Sequence, residues 1–254
     1  MILSIESSCD DSSIAVSRIC DYKLVFHKKI SQDSVHANYG GVVPEIASRL
    51  HCVSLPAILR DLKSKVPLSN IKAVAVTNEP GLSVSLIEGV MMAKAISMSL
   101  NIPIIAINHL KGHIYSLFLE SNIKFPLSVL LLSGGHTMIL EIYNFYDIKI
   151  IGGTLDDSFG EAFDKVAKML SLQYPGGPIV ESYALRAKNH DILFPIPLRD
   201  RKDISFSFSG LKNAVRIYVD SIKSISNDIK FDICYAFQKS AIEHILQKSS
   251  LYMR

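Results

Sequence analysis

The sequence contains few cysteines, and none of them are paired in a motif. Its 254 residues include four, Cys9, Cys20, Cys52 and Cys234, with no Cys-x-x-Cys spacing. A chain of this length can build a core without disulfide staples, so a small disulfide-stabilised secreted fold is excluded. We therefore expect free thiols in a reducing compartment.

Net charge is also small. Lys and Arg number 27 against 24 Asp and Glu, a formal charge of +3, which does not indicate a nucleic-acid-binding protein by itself. Basic residues are more frequent after Asp200, but helix surfaces in contact with water explain them equally well. The small charge does not exclude nucleic-acid binding either, because a local basic patch matters more than the sum.

Long hydrophobic runs and a signal peptide are missing as well. The longest uninterrupted apolar stretches, such as 102–107 and 129–132, fall far short of the ~20 residues that span a bilayer. The first residues, Met-Ile-Leu-Ser-Ile-Glu, carry no basic segment before an apolar one. These features predict a soluble, cytoplasmic protein with no membrane partner.

What the sequence does contain is typical of a globular protein. Hydrophobic residues make up 48% of the chain, with 13 Gly and 10 Pro, so disordered and collagen-like classes are excluded. The length suits one large domain or two domains of about 100–150 residues.

The first half of the chain predicts a βββαβαβα order. Strands are expected at 3–5, 14–16, 24–30, 73–76 and 104–107, and helices at 44–65, 86–100 and 110–119. Pro44 suits the first helical position and Pro56 predicts a kink. Strands that lead into helices favour an α/β fold with a partly parallel sheet.

The second half starts the same pattern again. Strands are expected at 129–132, 138–143 and 148–151, and helices at 160–170, 179–188, 211–222 and 231–251. The chain therefore shows an internal repeat of architecture, not of sequence. No later segment predicts the two strands that would complete the second copy. We expect two domains, residues 1–122 and residues 123–254, with a helical insertion in the second.

Two histidines four residues apart are candidate metal ligands. His109 and His113 fall on one face of a predicted helix, where two imidazoles can share an ion. Surface or capping histidines are the ordinary alternative. The zinc-protease motif needs Glu directly after the first His, and that position is Leu110.

Two glycine-containing loops are candidate anion sites. Ser133-Gly-Gly-His-Thr137 lies between two predicted strands, and Tyr174-Pro-Gly-Gly-Pro178 precedes a helix that we expect to open at Pro178. A hairpin turn and a helix connection are the plain alternatives. Asp164 lies between the loops and is a candidate for binding sugar hydroxyls, while Glu161 and Lys165 are candidates for a surface ion pair.

A third polar loop follows the first strand. Glu6-Ser-Ser-Cys-Asp-Asp-Ser12 combines small hydroxyls with carboxylates, which suits a phosphate or metal–phosphate site. An ordinary polar turn is the alternative.

Taken together, these segments resemble the tRNA N6-adenosine threonylcarbamoyltransferase family (TsaD type), formerly called a glycoprotease family. The matching segments are colinear across essentially the whole chain: Ser4-Ile-Glu-Ser-Ser-Cys-Asp10, Tyr39-Gly-Gly-Val-Val-Pro-Glu45, Ala47-Ser-Arg49, Pro80-Gly-Leu82, Asn108-His-Leu-Lys-Gly-His113, Leu132-Ser-Gly-Gly-His-Thr137, Gly160-Glu-Ala-Phe-Asp-Lys165, Tyr174-Pro-Gly-Gly-Pro178 and Phe206-Ser-Phe-Ser-Gly-Leu-Lys212.

The resemblance implies an ASKHA fold of two ribonuclease H-like halves, here with the second half incomplete. It implies transfer of a threonylcarbamoyl group from threonylcarbamoyl-AMP to N6 of adenosine 37, in tRNAs that read codons beginning with A. Its implied partners, besides tRNA and the donor, are an inactive paralogue and an ATPase subunit of the bacterial threonylcarbamoylation complex.

Site residues follow from the resemblance position by position. His109 and His113 would bind one divalent metal, Fe(2+) in the family, and Asp10 would be the acidic catalytic residue. The donor would be bound by Leu131, Leu132, Ser133, Gly134, Gly135, Asp164 and Gly177.

Some of the family's motifs have no counterpart. Asp11 and Ser12 replace Glu and Thr, and Glu79 replaces a Gly. A Gly-Gly-Val-x-x-Asn donor loop and an Asp-Asn-Gly segment with the third metal ligand are not found. We therefore expect the chain by itself to bind metal and donor weakly. The alternatives are a non-catalytic paralogue or scaffold, a degraded gene fragment and, least favoured, a metalloprotease.

Overall fold

A computed structural model describes residues 1–119 and 124–254 of the chain. The chain divides into two compact units, Met1–Ser121 and Asn122–Arg254. Mixed α/β structure forms each unit, and each has its own hydrophobic core.

The first unit is built on a five-stranded mixed sheet. Its strands are β1 (Ile2–Glu6), β2 (Asp11–Ser17), β3 (Leu24–Ser31), β4 (Ala73–Glu79) and β5 (Ile104–Asn108), in the order β3-β2-β1-β4-β5. β1, β2 and β3 pair antiparallel, whereas β1–β4 and β4–β5 pair parallel. The predicted partly parallel sheet is confirmed. Since β1, β4 and β5 run in the same direction, their carboxyl ends lie along one edge.

Within residues 1–119, three helices lie between these strands in sequence and a fourth follows β5. They are α1 (Asp33–His36), α2 (Pro44–Lys63), α3 (Ser83–Leu100) and α4 (His109–Ser116), with short 3-10 turns at Ala37–Tyr39 and Leu68–Asn70. Helix α4 begins at His109 because the Asn108 side chain accepts the N–H groups of Leu110 and Lys111. The helix ends at Ser116, three residues before the predicted 119, so that prediction was wrong at its end. The short α1 was not predicted.

The core of the first unit follows from strand alternation and helix periodicity. Leu3, Ile5, Ile14 and Val16 alternate with more exposed residues and form one face of the sheet. Apolar residues of α2, at helical spacing, pack in the same buried cluster: Leu55, Ile58 and Leu62. The sheet therefore packs against α2 through this cluster, with β1 and β4 as inner strands of the sheet.

Helix α3 is long and apolar enough to cross a membrane by length and composition. Its sequence is interrupted by the charged residues Glu88 and Lys94, so it contains no long uninterrupted apolar run. Its buried positions are mostly small, Ser85, Gly89 and Ala93, and the helix packs against β4 and α2. Core helices of soluble proteins meet the same criteria.

The described residues of the second unit, 124–254, form a three-stranded antiparallel sheet and four helices. Its strands are β6 (Leu127–Leu132), β7 (Thr137–Ile142) and β8 (Ile148–Gly153), paired in sequence order. The helices are α5 (Phe159–Met169), α6 (Gly176–Ala184), α7 (Ser209–Asp220) and α8 (Asn227–Tyr252). Helix α6 begins at Gly176 and not at the predicted Pro178, which places both loop glycines in its first turn.

Aromatic side chains form the centre of the second core. Phe206, Phe208 and Phe237 are fully buried and pack with residues of α5 and α8. An isolated parallel bridge joins Thr154 to Phe206. The segment after α6 therefore returns alongside β8, although the described residues after Gly153 form this bridge and not a further strand.

Candidate functional site

The carboxyl ends of β1, β4 and β5 bring three polar residues together. Glu6 is the last residue of β1, Thr77 lies in β4, and His109 directly follows β5. The side chains of Thr77 and His109 both contact the same oxygen of Glu6. Residues that are far apart in sequence therefore form one cluster because parallel strands end at the same edge of the sheet.

The two candidate metal ligands face each other. Nε2 of His113 lies 3.0 Å from Nε2 of His109, with ring centroids 4.5 Å apart and the planes at 83°. Desolvation and the neighbouring His109 imidazole lower the pKa of His113 below its usual value. Both effects favour the neutral imidazole, which is the form that binds metal ions.

Glu6 is held as a carboxylate. Its Oε1 accepts the backbone N–H of Ser8 at 2.6 Å, and its Oε2 accepts the hydroxyl of Thr77 and lies 3.3 Å from Nδ1 of His109. Burial raises the pKa of this carboxyl, but the hydrogen bonds from His109, Ser8 and Thr77 outweigh burial and bring the pKa to about 2. Sequence analysis placed Glu6 in a polar loop but gave no indication of Thr77.

The loop after β1 is anchored on the start of α3. Ser7 donates its hydroxyl to the carbonyl of Ser85, 2.9 Å away, and accepts the N–H of Gly89 at 3.2 Å. The N–H of Leu82 bonds to the carbonyl of Ser8 at 2.8 Å. A Cβ on Gly81 would lie 2.6 Å from that same carbonyl oxygen. The Pro80-Gly81-Leu82 segment therefore needs glycine because two backbones approach closely there.

A buried histidine supports the other end of this loop. His51 of α2 is 0% exposed. Its Nε2–H donates to the carbonyl of Cys9 at 2.9 Å, and its Nδ1 lies 2.7 Å from the hydroxyl of Ser12. The turn that carries Asp10, the predicted catalytic residue, is thus bonded to α2 on both sides of Asp10. Sequence analysis missed His51, since a histidine on an apolar helix face carries no distinct signal.

The predicted donor loop in the second unit is a tight hairpin fixed to α5. Ser133 and His136 are joined by backbone and side-chain hydrogen bonds, with Ser133 N–H donating to the His136 carbonyl at 2.9 Å. Ser158 donates its hydroxyl to the carbonyl of Gly134 at 2.5 Å, and Thr137 accepts the N–H of Phe159 at 2.8 Å. The hairpin interpretation is confirmed, and the hydroxyl residues around the glycines explain how it is held.

Gly160, in the first turn of α5, permits the close contact between α5 and the Ser133–Thr137 hairpin. A Cβ at Gly160 would lie 2.7 Å from the carbonyl oxygen of Ser133 and 2.8 Å from Cα of Gly134. In contrast, a Cβ at Gly134 or Gly135 would meet no atom within 4 Å, and both residues are exposed. Within residues 124–254, no described group accepts the N–H of either glycine. Two adjacent exposed N–H groups are suited to an anionic ligand.

The other predicted donor residues differ in exposure. The side chain of Leu131 is buried in the sheet, whereas Leu132 is exposed at the end of β6. Asp164 of α5 accepts the N–H of Gly176, the first residue of α6, at 2.7 Å. Gly177 follows in the first turn, with no atom within 4 Å of an added Cβ. Asp164 therefore has a structural role at the start of α6, whatever it binds.

The adjacent glycines of α6 provide a matched prediction. A Cβ at Gly176 would lie 2.7 Å from Cα of Asp164 and 2.8 Å from the Phe163 carbonyl oxygen. We expect Gly176→Ala to lower the free energy of unfolding by about 2 kcal/mol, since α6 must move away from α5. Gly177→Ala should leave stability unchanged or raise it by up to about 1 kcal/mol. Urea unfolding of both variants checks this, and equal effects would contradict the close-packing argument.

An ion-pair cluster lies beside these residues. Asp157 binds Lys165 at 2.7 Å and also pairs with Lys212, and Lys165 pairs in addition with Glu161 at 2.7 Å. Burial raises the pKa of Asp157, but the two lysines outweigh burial and lower it. The ion pair of Glu161 and Lys165, which sequence analysis left as the alternative interpretation of this segment, is present. It belongs to a network that connects α5 with the Phe206–Lys212 segment.

A model of the tRNA N6-adenosine threonylcarbamoyltransferase family matches residues 23–254. The chain belongs to this family. It is 61% identical over 254 residues to the tRNA N6-adenosine threonylcarbamoyltransferase of Wolinella succinogenes, covering 100% of this chain and 76% of that protein.

The chain is also similar to other members of the threonylcarbamoyltransferase family. The protein of the same name from Helicobacter pylori strain J99 is 57% identical over 260 residues, again covering 100% of this chain and 76% of that one. Among solved structures, a Ppx/GppA family member from Aquifex aeolicus aligns with a TM-score of 0.43 and 11% identity, over 100% of this chain and 90% of that chain.

The structure describes both histidines that the family resemblance implies as metal ligands. Among the described residues, no group of three or more His, Cys, Asp or Glu side chains is arranged to hold a metal ion. The two imidazoles do converge through Nε2, and His109 has a carboxylate at its other nitrogen. The pair therefore fits two positions of a divalent metal's coordination shell, with further ligands to be supplied by other groups.

Proposed function

We propose that this chain modifies tRNA by transferring a threonylcarbamoyl group from threonylcarbamoyl-AMP to N6 of adenosine 37, in tRNAs that read codons beginning with A. The observation that carries this proposal is the family match over residues 23–254. Two groups of motif residues also support it, the histidine pair with Glu6 in the first unit and the Ser133–Thr137 loop on α5 in the second. The reaction is an acyl transfer, in which N6 attacks the carbamoyl carbon, the bond from that carbon to the phosphate oxygen breaks, AMP leaves, and N6 loses one proton to solvent.

The donor is bound by residues of the second unit in this proposal. Its phosphate accepts hydrogen bonds from the exposed N–H groups of Gly134 and Gly135, with Leu132 and Ser133 lining the same loop and Leu131 fixing it to the sheet. Asp164 and Gly177 bind the sugar hydroxyls of the adenylate. Support comes from the rigid anchoring of the loop on α5, because a preorganised loop loses little entropy when the donor binds.

His109 and His113 bind a divalent metal, Fe(2+) by family resemblance, in the first unit. When bound there, the metal supplies a Lewis acid for the developing charge on the carbamoyl oxygen. The convergence of the two Nε2 atoms supports this role. Asp10 orients the attacking amine, and His51 holds the Asp10 turn in place through the Cys9 carbonyl. Orientation is the main requirement, because adenine N6 is a weak nucleophile and AMP is a good leaving group.

We propose that the two units correspond to the two ribonuclease H-like halves of an ASKHA fold, divided as residues 1–122 and 123–254. Each unit opens with a three-stranded antiparallel meander, which supports the comparison. The first sheet continues with two parallel strands, whereas the described part of the second contains the meander alone. The second half is thus incomplete in this proposal. We also propose that the protein is cytoplasmic and that its partners are the inactive paralogue and the ATPase subunit.

The function is tested by direct assay. The full chain is incubated with threonylcarbamoyl-AMP, a ferrous salt and unmodified tRNA, with and without the two partner proteins, and threonylcarbamoyladenosine is quantified by mass spectrometry. We expect product with the wild-type chain and a loss of at least about 100-fold in a His109→Ala, His113→Ala double variant. Glu181→Gln, an exposed substitution in α6, is the control and should retain activity.

Two results would contradict the proposal. One is no product above the tRNA blank in any arm, and the other is full activity in the double histidine variant. Metal analysis of the purified chain, before a ferrous salt is added, tests the expectation of weak metal binding, since a stoichiometry near one per chain together with tRNA modification would contradict that expectation.

A further inference from the structure

Glu6 is surrounded by hydrogen-bond donors on both of its oxygens. Oε1 accepts the backbone N–H of Ser8 at 2.6 Å. Oε2 accepts the hydroxyl of Thr77 and lies 3.3 Å from Nδ1 of His109. The carboxylate is thereby fixed by a backbone group and by a side chain of the neighbouring strand, and its remaining contact is to the imidazole.

This arrangement selects one tautomer of His109. A carboxylate only accepts hydrogen bonds, so Nδ1 of His109 must carry the proton that it donates to Glu6. The hydroxyl oxygen of Ser8, 3.1 Å from the same Nδ1, is a second acceptor. Nε2 is then left with its lone pair, and that atom lies 3.0 Å from Nε2 of His113. The lone pair therefore points into the space that the two histidines share.

We propose that Glu6 is a positioning residue that holds His109 in the Nδ1–H tautomer and fixes its ring, so that Nε2 is available to bind a metal. Thr77 and Ser8 act through Glu6 by fixing its carboxylate. This inference rests on the proposed role of the histidine pair. Carboxylates that accept from the second nitrogen of a histidine ligand are a recurrent feature of metal sites.

The strand layout explains why Glu6 is suited to this role. Glu6 ends β1 and Thr77 lies in β4, its parallel neighbour, while His109 follows β5 on the far side of β4. Glu6 and Thr77 lie on the adjacent strands β1 and β4, each of which is hydrogen-bonded to a strand on both sides, and His109 directly follows the edge strand β5. A site built on rigid elements holds its ligand geometry more closely than one built on loops alone.

Glu6→Gln is a sharp test because its three neighbours act as donors. A Gln side chain has one accepting oxygen and one donating amide group. If the amide group faces Ser8, two N–H groups oppose each other and the backbone N–H of Ser8 loses its acceptor, so this orientation is disfavoured. If it faces His109, the ring is driven to the Nε2–H tautomer, which removes the metal-binding lone pair. Either orientation disturbs the arrangement, while the shape of the side chain is retained.

The first measurement uses the metal-free full chain. Long-range 1H–15N correlation NMR of the His109 side chain reports its tautomer directly. We expect Nδ1–H in the wild type and a shift toward Nε2–H in Glu6→Gln. This readout is independent of activity, so it separates failure of the positioning role from failure of the proposed function.

The second measurement is the affinity for Co²⁺, determined by calorimetry and from the visible absorption of the bound ion. We expect Glu6→Gln to weaken Co²⁺ binding by about 10–100-fold. Thr77→Val, which removes the hydroxyl that fixes Glu6, should have a smaller effect in the same direction. Glu79→Gln removes a negative charge from the exposed end of β4 and is the matched control, with wild-type affinity expected. Thermal unfolding of each variant shows that the fold is retained.

The outcomes separate cleanly. A wild-type His109 in the Nε2–H form, or an Nδ1–H form that persists in Glu6→Gln, would overturn the inference. Equal losses of Co²⁺ affinity in Glu6→Gln and Glu79→Gln would overturn it as well, because nearby charge alone would then explain the effect. If the wild type binds no Co²⁺, the metal proposal fails, and the NMR result still decides the role of Glu6.

Discussion

Gly152→Ala is expected to destabilise the second unit strongly, because the added methyl group has no space. A Cβ at Gly152 would lie 1.7 Å from the backbone carbonyl oxygen of Ile204. No rotamer change relieves such an overlap, because both atoms belong to, or are fixed by, the main chain. The strand β8 and the Ile204 segment must therefore separate.

That separation would break a specific set of interactions. The N–H of Phe206 bonds to the Gly153 carbonyl at 3.0 Å, and the N–H of Leu155 bonds to the Phe206 carbonyl at 2.9 Å. Phe206 is fully buried in the core. We expect a loss of more than about 3 kcal/mol in the free energy of unfolding, at the upper end of what overpacking costs.

Gly153→Ala is the matched control for this prediction. The nearest atoms to a Cβ at Gly153 are the Thr137 carbonyl oxygen at 3.8 Å and Cβ of Met138 at 3.9 Å, which are ordinary contacts. The same methyl group in the next residue of the same strand should change stability by no more than about 1 kcal/mol. Urea denaturation followed by circular dichroism measures both variants. Similar midpoints for the two would show that the Ile204 segment can move freely, contrary to the structure.

The stability of the protein should fall between pH 6.5 and pH 4 because of His244. This residue of α8 is 0% exposed, and its Nε2 accepts the N–H of Ser207 at 3.2 Å. The rings of Phe206 and Phe208 pack edge-on against the imidazole, with centroids 5.7 and 5.4 Å away. Burial and the nearby Lys248 ammonium lower the pKa of His244 to about 4.

The sign of the effect follows from proton linkage. Between pH 4 and 6.5 the unfolded chain protonates His244 and the folded chain does not, so acidification favours unfolding. Protonation in the folded state would also place an N–H against the N–H of Ser207. Each pKa unit corresponds to about 1.4 kcal/mol, so the shift from 6.5 to about 4 amounts to about 3 kcal/mol.

The measurement is the free energy of unfolding at a series of pH values for the wild type and for His244→Gln. The Gln oxygen can still accept the Ser207 N–H, but the side chain does not titrate in this range. The wild type should lose about 3 kcal/mol more than the variant on acidification from pH 7 to pH 4. Glu6, whose carboxyl has a pKa of about 2 in the folded chain, is present in both proteins, so its contribution cancels from the difference between the two pH profiles. Parallel pH profiles would contradict the assignment.

Much of the fold was predictable because local patterns set it. Alternating apolar residues predicted β1, β2 and β3, and helical periodicity predicted α2, α3 and α5 to within a few residues. The errors in the predicted fold concern the ends of helices and the contacts that cap them. Helix α6 begins at Gly176 because Asp164, on another helix, accepts its first N–H group, and no local signal at Pro178 reveals that contact.

The candidate site was predicted in part for the same reason. His109 and His113 carry a local spacing signal, and the Ser133–Thr137 loop carries glycines between strands. Thr77 and His51 carry no such signal, because their roles depend on partners 71 and 39 residues away in sequence, Glu6 and Ser12. Gly160 and Gly176 were visible as glycines, but the backbones that they approach belong to other elements.

By itself, the sequence determined the mixed α/β character, the repeated meander, the family and the pairing of the two histidines, because each of these depends on residues close together or on colinear motifs. Only the tertiary structure decided which side chains contact Nδ1 of His109, how the Ser133–Thr137 loop is fixed to α5, and which glycines lie against the backbone of another element. Those properties depend on distances between atoms of different elements. Such distances are set when strands pair and helices pack, a step that joins residues irrespective of their separation along the chain.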